Sequence, residues 1–194
     1  MTPTPPPVIP HQISRIARTA IYNRLIDPEL GFNPLIAYQN YQYNLKPPIN
    51  AVEIGPKSRN FIFGQIAAAT EIGTTSFKFP LVALYTHGIM NKTFIKFRQF
   101  SGQVVMGLDV WWSWTNSNVV QDFENYGDAI EEVVVEIING FGPSGNGAVT
   151  QNWGHNLVYN GGVSCSRTAL AADADNWLQG YQFRFTFHLD TDVP

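Results

Sequence analysis

A single cysteine, Cys165, in 194 residues excludes an intramolecular disulfide, and a chain without disulfides suits maturation in a reducing cytosol. Charge is scarce too. Asp, Glu, Lys and Arg make up 14% of the residues, against about a quarter in an ordinary globular domain. The 12 basic and 15 acidic residues leave a formal charge of −3. No basic run occurs, which argues against broad nucleic-acid binding, since phosphate affinity comes from clustered Lys and Arg. No segment approaches the roughly 20 apolar residues of a membrane span. The opening residues have neither the basic nor the apolar region of a signal peptide. The chain is therefore expected to stay where it is made, unless it leaves as part of a larger particle.

What is abundant is apolar and aromatic. Hydrophobic residues reach 44% and aromatic ones 13%, a balance that fits a ring-packed β-rich core or surfaces covered by other subunits. The length suits one domain, able to bury roughly 70% of the surface its unfolded form exposes.

The clearest local pattern lies at residues 103–139. Val104, Met106, Leu108, Val110, Trp112 and Trp114 recur at a spacing of two, with Gln103, Gly107, Asp109 and Ser113 on the other face, which predicts a half-buried strand. After a polar turn, Val119, Phe123, Tyr126, Ile130, Val133, Ile137 and Ile138 recur at three and four among acidic residues, which predicts an amphipathic helix over 119–139. Tyr181, Phe183, Phe185, Phe187 and Leu189 alternate with polar residues and predict a closing strand over 181–190. Ile13, Ile16, Ala17, Ala20, Ile21 and Leu25 predict a first helix over 11–26, stopped by Asp27-Pro28.

Residues 1–10 carry five prolines between positions 2 and 10 and read as an extended arm of polyproline character. Residues 28–60 read as an irregular insertion, punctuated by Gly and Pro and rich in Tyr and Asn. Residues 61–71 are ambiguous between helix and strand, with Ile66-Ala67-Ala68-Ala69 favouring helix. The apolar run at 78–86 and the segment 92–100 read as strands. Ser101-Gly102 then serves as a hairpin turn into the alternating strand, making a three-strand meander. The glycine-rich stretch 140–162 reads as irregular, with a short strand at Leu157-Val158-Tyr159, and Ala169–Ala172 suggests one helical turn. The expected class is α+β: an antiparallel or mixed sheet of about four strands with two helices on one face. A proline-rich arm at 1–10 precedes a single domain at 11–194, with long insertions at about 28–60 and 140–180.

No residue set announces a reaction, a metal or a cofactor. The histidines, His11, His87, His155 and His188, are mutually isolated. One His and one Cys, His155 and Cys165, fall short of the three or four ligands that zinc uses. Cys165 shows no base beside it and reads as an inert thiol. Asp109 and His188 sit on polar strand faces and read as a cross-strand polar pair. The loop at 142–147 lacks the lysine of a phosphate-binding loop. Glu131 and Glu132 point about 100° apart on a helix and read as a solvated face. Trp111 projects to the polar face of its strand, where a ring can stack on sugars, anchor a protein partner or lie under the 28–60 insertion.

The order of elements resembles that of the tail terminator, or tail completion, proteins of long-tailed bacteriophages. The residues that carry the likeness are the N-terminal amphipathic helix, the strand opening Phe79-Pro80-Leu81-Val82-Ala83-Leu84-Tyr85, the strand 104–114, the acidic helix 119–139 and the closing strand 181–189. They cover roughly half the chain, and their patterns are loose. The arm, the insertion and the glycine-rich stretch depart from the pattern and leave open another neck or connector component. The resemblance implies a non-enzymatic virion protein, assembled in the bacterial cytoplasm. It would form a closed ring, commonly a hexamer, that caps the tail tube, stops its growth and meets head-side connector proteins, with DNA only as passing cargo. A ring needs head-to-tail contacts that close. An interface role falls to Pro5, Pro6 and Pro7 in the arm, to Tyr38, Tyr41 and Tyr43 in the insertion, and to His87, Trp111 and Trp153. The competing class is a carbohydrate- or protein-binding module built on Trp111, Trp153 and the tyrosines. An enzyme is the third.

Overall fold

The computed structural model describes residues 10–65, 77–91, 101–114, 123–139, 153, 157–168, 171–173 and 176–190. Among these residues three helices and six strands follow in order: α1 (Pro10–Leu25), α2 (Phe32–Gln42), β1 (Phe61–Ile62), β2 (Leu81–Asn91), β3 (Ser101–Trp114), α3 (Phe123–Asn139), β4 (Leu157–Arg167), β5 (Ala171–Asp173) and β6 (Asn176–Asp190). The strands form one mixed sheet in the order β1-β2-β3-β6-β4, with β5 also on β6. Only β1 runs parallel to its neighbour. This is the expected α+β class, with more strands than expected and a third helix.

Strict alternation decides the core. In β3, Val104, Met106, Leu108, Val110 and Trp112 are buried, and in β6 so are Tyr181, Phe183, Phe185, Phe187 and Leu189. The β3–β6 register pairs these sets residue for residue, so their side chains share one face. All three helices contribute to the core on that face. From α1 come Ile13, Ala17, Ile21 and Leu25, and from α3 Tyr126, Ile130, Val133, Val134, Ile137 and Ile138. The Tyr126 ring lies 5.6 Å from that of Trp112, tying α3 to β3. α1 stops as expected: the Asp27 carboxylate accepts the N–H groups of Glu29 and Leu30 at 2.9 and 2.8 Å. Those bonds hold its pKa below the usual carboxylate range. Gly31 follows because an added Cβ would lie 2.3 Å from the Asp27 carbonyl.

Several expectations need correction. Pro10 opens α1 rather than closing an arm; residues 1–9 lie outside the described residues. The insertion 28–60 is not irregular throughout. It contains α2, whose Phe32, Leu35, Ile36 and Gln39 turn inward at helical spacing, and Pro34 is tolerated because it falls in the first turn. α2 also organises the chain after it. Asn33 exchanges two hydrogen bonds with Val52, at 2.9 and 2.8 Å, and Asn40 does the same with Ile49, at 2.9 and 2.8 Å. Two side-chain amides thus play the part of a neighbouring strand for buried backbone.

Phe61-Ile62 is strand, not helix, because it pairs with Val82 and Ala83; residues 66–71 lie outside the described residues. Ser101-Gly102 belongs to β3, where it pairs with Asp190 and Leu189, rather than forming a turn. β2 pairs directly with β3, so no third strand lies between them; the strand expected at 92–100 lies outside the described residues. The short strand expected at Leu157-Val158-Tyr159 is there but longer: β4 continues through the glycines to Arg167, eleven residues in all. Tyr159 pairs with Phe187 and Val163 with Phe185, so Asn160, Gly161 and Gly162 bulge opposite one residue. Gly161 and Gly162 have φ of 81° and 80°, which glycine adopts without a Cβ penalty. Ala171–Asp173 pairs with β6 as a strand instead of turning as a helix; 169–170 lie outside the described residues.

Candidate functional site

The described helices occupy one face of the sheet, and a bonded group of ionisable residues from three strands lies on the other. Tyr85 on β2, Gly107 on β3 and Arg184 on β6 are cross-strand partners in one line. Gly107 is what lets them meet: an added Cβ would lie 2.5 Å from the Tyr85 ring. Asp109, two residues along β3, receives both neighbours. Tyr85 Oη donates to its carboxylate at 2.9 and 3.1 Å, and Arg184 Nη1 donates at 2.8 Å. The guanidinium also lies 5.1 Å from the Tyr85 ring centre.

Asp109 has no solvent exposure. Burial pushes its pKa up, while the bond and charge of Arg184, the Tyr85 hydroxyl and the charge of His87 pull it down. Tyr85 is likewise raised, first by burial and then by the Asp109 charge. A raised phenol keeps its proton, and a fully buried carboxylate meets no substrate. Chemically, the cluster can fix three strands in register and hold one charge out of water.

Towards Leu81, the same face turns apolar. Trp111 lies flat over Gly180, where an added Cβ would come within 2.9 Å of the ring. Leu81 and Ala83 flank it, with Ile62, Phe77, Phe79 and Leu178 packed against the group. Trp111 is 1% exposed, so it is neither a sugar platform nor an open anchor. Its cover comes from the 77–79 segment and adjoining strands, not from residues 28–60. Towards the other end, Gln103, Val105, Thr186 and His188 are half-buried, His87 is exposed, and Met90 is 60% exposed.

The other residues assigned to interfaces do not converge there. Tyr38 and Tyr41 stand on the outer side of α2, Tyr41 at 82% exposure. Tyr43 donates to Glu132 at 2.7 Å, and that bond, with burial, pushes its pKa up to about 12. Trp153 belongs to the helix-side core, its ring 4.8 Å from Phe187 and 3.8 Å beneath the Arg24 guanidinium. Pro5, Pro6 and Pro7 lie outside the described residues, as do His155 and the 142–147 loop. Asp109 and His188 do not pair. Asp109 stands opposite Gln182, and His188 opposite Gln103 and Val158.

One cluster escapes a reading of the sequence. Arg167, at the end of β4, bonds Glu124, Asp128 and Glu131 of α3, the last two at 2.9 and 2.7 Å. The carboxylates at i, i+4 and i+7 share one helix face, and Gly127 leaves room for the guanidinium, whose Cζ would lie 2.9 Å from an added Cβ. The acidic spacing was visible, but its partner lay in a stretch read as loop. Cys165 adjoins this cluster. Desolvation of its thiol against α3, then the Glu131 carboxylate, push its pKa up to about 12, so the sulfur is a poor nucleophile.

No group of three or more potential metal ligands occurs among the described residues, and none of their helices is long and apolar enough to cross a membrane. The chain matches no protein-family model and no curated protein sequence.

Proposed function

We propose that this chain is a structural virion protein, a tail terminator that assembles with copies of itself into a closed ring between the tail tube and the head-side connector proteins. One observation carries the reading: among the described residues, the helices layer one face of the sheet. All three described helices contribute to the core on one face, while on the other Tyr85, Asp109 and Arg184 are bonded to one another, and Gln103, Val105, Thr186 and His188 form a half-buried strip beside them. Such a strip is suited to packing against another protein. The order of helix, paired strands, acidic helix and closing strand, on which the resemblance to tail terminators rests, supports the same reading.

The carbohydrate-module alternative is weakened, because Trp111 is buried and Trp153 packs, half-buried, against the core under Arg24. The terminator mechanism is geometric. One face of the ring copies the stacking surface of the tube and the other does not, so growth ends there.

Electron microscopy of the purified protein tests the proposal. Closed rings, and tails of irregular length in infections lacking the protein, are expected. A monodisperse monomer that leaves tail length untouched when deleted would refute it. Deleting residues 2–9, which precede α1, is expected to preserve the melting temperature and reduce ring yield or docking.

A further inference from the structure

The outward face of α1 carries a groove that none of the foregoing uses. It has a volume of about 290 Å³ and is lined by Arg15, Arg18, Thr19, Tyr22 and Phe63. The four helix residues lie on one side of α1 because 15, 19 and 22 follow the i, i+4, i+7 spacing and 18 sits between them. The floor is aromatic and fixed. Phe61, buried in β1, packs edge-on against Phe63 at 4.9 Å, and Tyr22 lies 5.7 Å from Phe61 and 5.6 Å from Phe63. Phe63 is nevertheless 47% exposed, so an apolar surface is held in place at the groove without being covered by the described residues.

The walls are cationic. Other arginines of the chain are engaged: Arg167 binds three carboxylates, Arg184 binds Asp109, and Arg24 donates to the Ile137 carbonyl at 3.0 Å. Arg15 and Arg18 make no ion pair or hydrogen bond with the described residues. In a chain of net charge −3, two guanidinium groups that no described carboxylate pairs with flank an exposed ring. A planar guanidinium matches a carboxylate with two parallel N–H donors, and an exposed, rigid ring surface receives an apolar side chain at low entropic cost.

We propose that this groove docks a short acidic segment of a partner protein, its carboxylates on Arg15 and Arg18 and an aromatic side chain against Tyr22 and Phe63. Two cations suffice for one or two carboxylates. They are few for a nucleic acid, whose affinity grows with each phosphate neutralised. The groove is a property of α1 and of Phe63, just after β1, and it stands apart from whatever role the sheet's second face serves.

The test uses the full chain and fluorescein-labelled peptides followed by fluorescence anisotropy at low salt. The probes are Glu-Glu-Phe-Glu-Glu, its neutral analogue Gln-Gln-Phe-Gln-Gln, and a short oligothymidylate. Saturable binding of the acidic peptide alone is expected, weakened roughly fivefold or more by Arg15→Gln or Arg18→Gln and also by Phe63→Ser. Arg15 is exposed, so an unchanged thermal melt for Arg15→Gln separates lost binding from lost fold. Absence of saturable binding to wild type would overturn the proposal. So would acidic-peptide affinity indifferent to both arginine variants, equal binding of the neutral peptide, or tighter binding of the oligothymidylate.

Discussion

Arg184 reaches from β6 past Gly107 to place Nη1 2.8 Å from Oδ1 of Asp109 on β3. The pair is asymmetric: the carboxylate is fully buried, while the arginine keeps 22% of its side-chain surface in water. Losing the arginine therefore strands the charge that can least be stranded. Arg184→Met is expected to cost about 3–5 kcal/mol, read from the urea midpoint. The double variant Asp109→Leu/Arg184→Met should lose far less than the sum of the two single losses, because no orphaned charge remains. A single variant as stable as wild type would show that the pair contributes nothing.

The same cluster depends on a missing side chain. Gly107→Ala would drive a Cβ to 2.5 Å from the Tyr85 ring, which cannot retreat without giving up its bond to Asp109. A loss of about 1–3 kcal/mol is expected. Gly88→Ala is the control, since nothing lies within 4 Å of its added Cβ. Equal thermal melts for the two variants would mean that Tyr85 is not packed across Gly107.

Strand phase is open to a similar comparison. Phe185 is 1% exposed on the helix side, and Thr186 is half-buried on the other face. Phe185→Asp places a charge in the apolar layer and should cost about 4 kcal/mol or more; Thr186→Asp should cost less than about 1 kcal/mol. Equal denaturation midpoints would mean that the phase is reversed.

Strands β3 and β6 and helices α1 and α3 were legible because each repeats a single period long enough to exceed chance. Five consecutive inward positions in β6, at 181, 183, 185, 187 and 189, leave no other phase. What stayed hidden depends on partners distant in sequence. α2 has an inward stripe of only four residues, one of them Gln39, and its stability draws on Asn33 and Asn40 pairing with Val52 and Ile49. β4 was masked by Gly161 and Gly162, which mark a bulge within a strand and not the end of one. Trp111 was correctly placed on the face opposite the core stripe. Its cover, Phe79 and neighbouring side chains, comes from a strand start rather than the insertion suspected of supplying it. Arg167 could not be matched to Glu124, Asp128 and Glu131 while its own strand was unrecognised.

Cys165 combines an exposed position with a suppressed thiol. At pH 8 the thiolate fraction falls as the pKa rises from 9.0 to about 12, so alkylation by iodoacetamide should run at least about a hundredfold slower than for free cysteine. Glu131→Gln removes the adjoining negative charge and should speed it. Labelling of the native protein at the free-cysteine rate would contradict the placement of the thiol against α3. Cys165→Ser is expected to leave folding and assembly intact.

Glu136 offers a test in pH. It is half-buried on α3, its Oε2 has no hydrogen-bond partner among the described residues, and burial followed by the charge of Glu132 raises its pKa above 4.5. A carboxyl group whose pKa is higher in the folded state binds its proton more tightly there. It therefore favours folding below the unfolded pKa, and that contribution is lost as pH rises through the folded value. Glu136→Gln fixes the side chain in its neutral form and also removes a like-charge i, i+4 neighbour of Glu132. The variant and the wild type should melt together near pH 4, and the variant should melt roughly 1–3 °C higher at pH 7. A variant that melts lower than wild type at pH 7 would mean that the ionised carboxylate is satisfied in the folded protein, and that its burial carries no penalty.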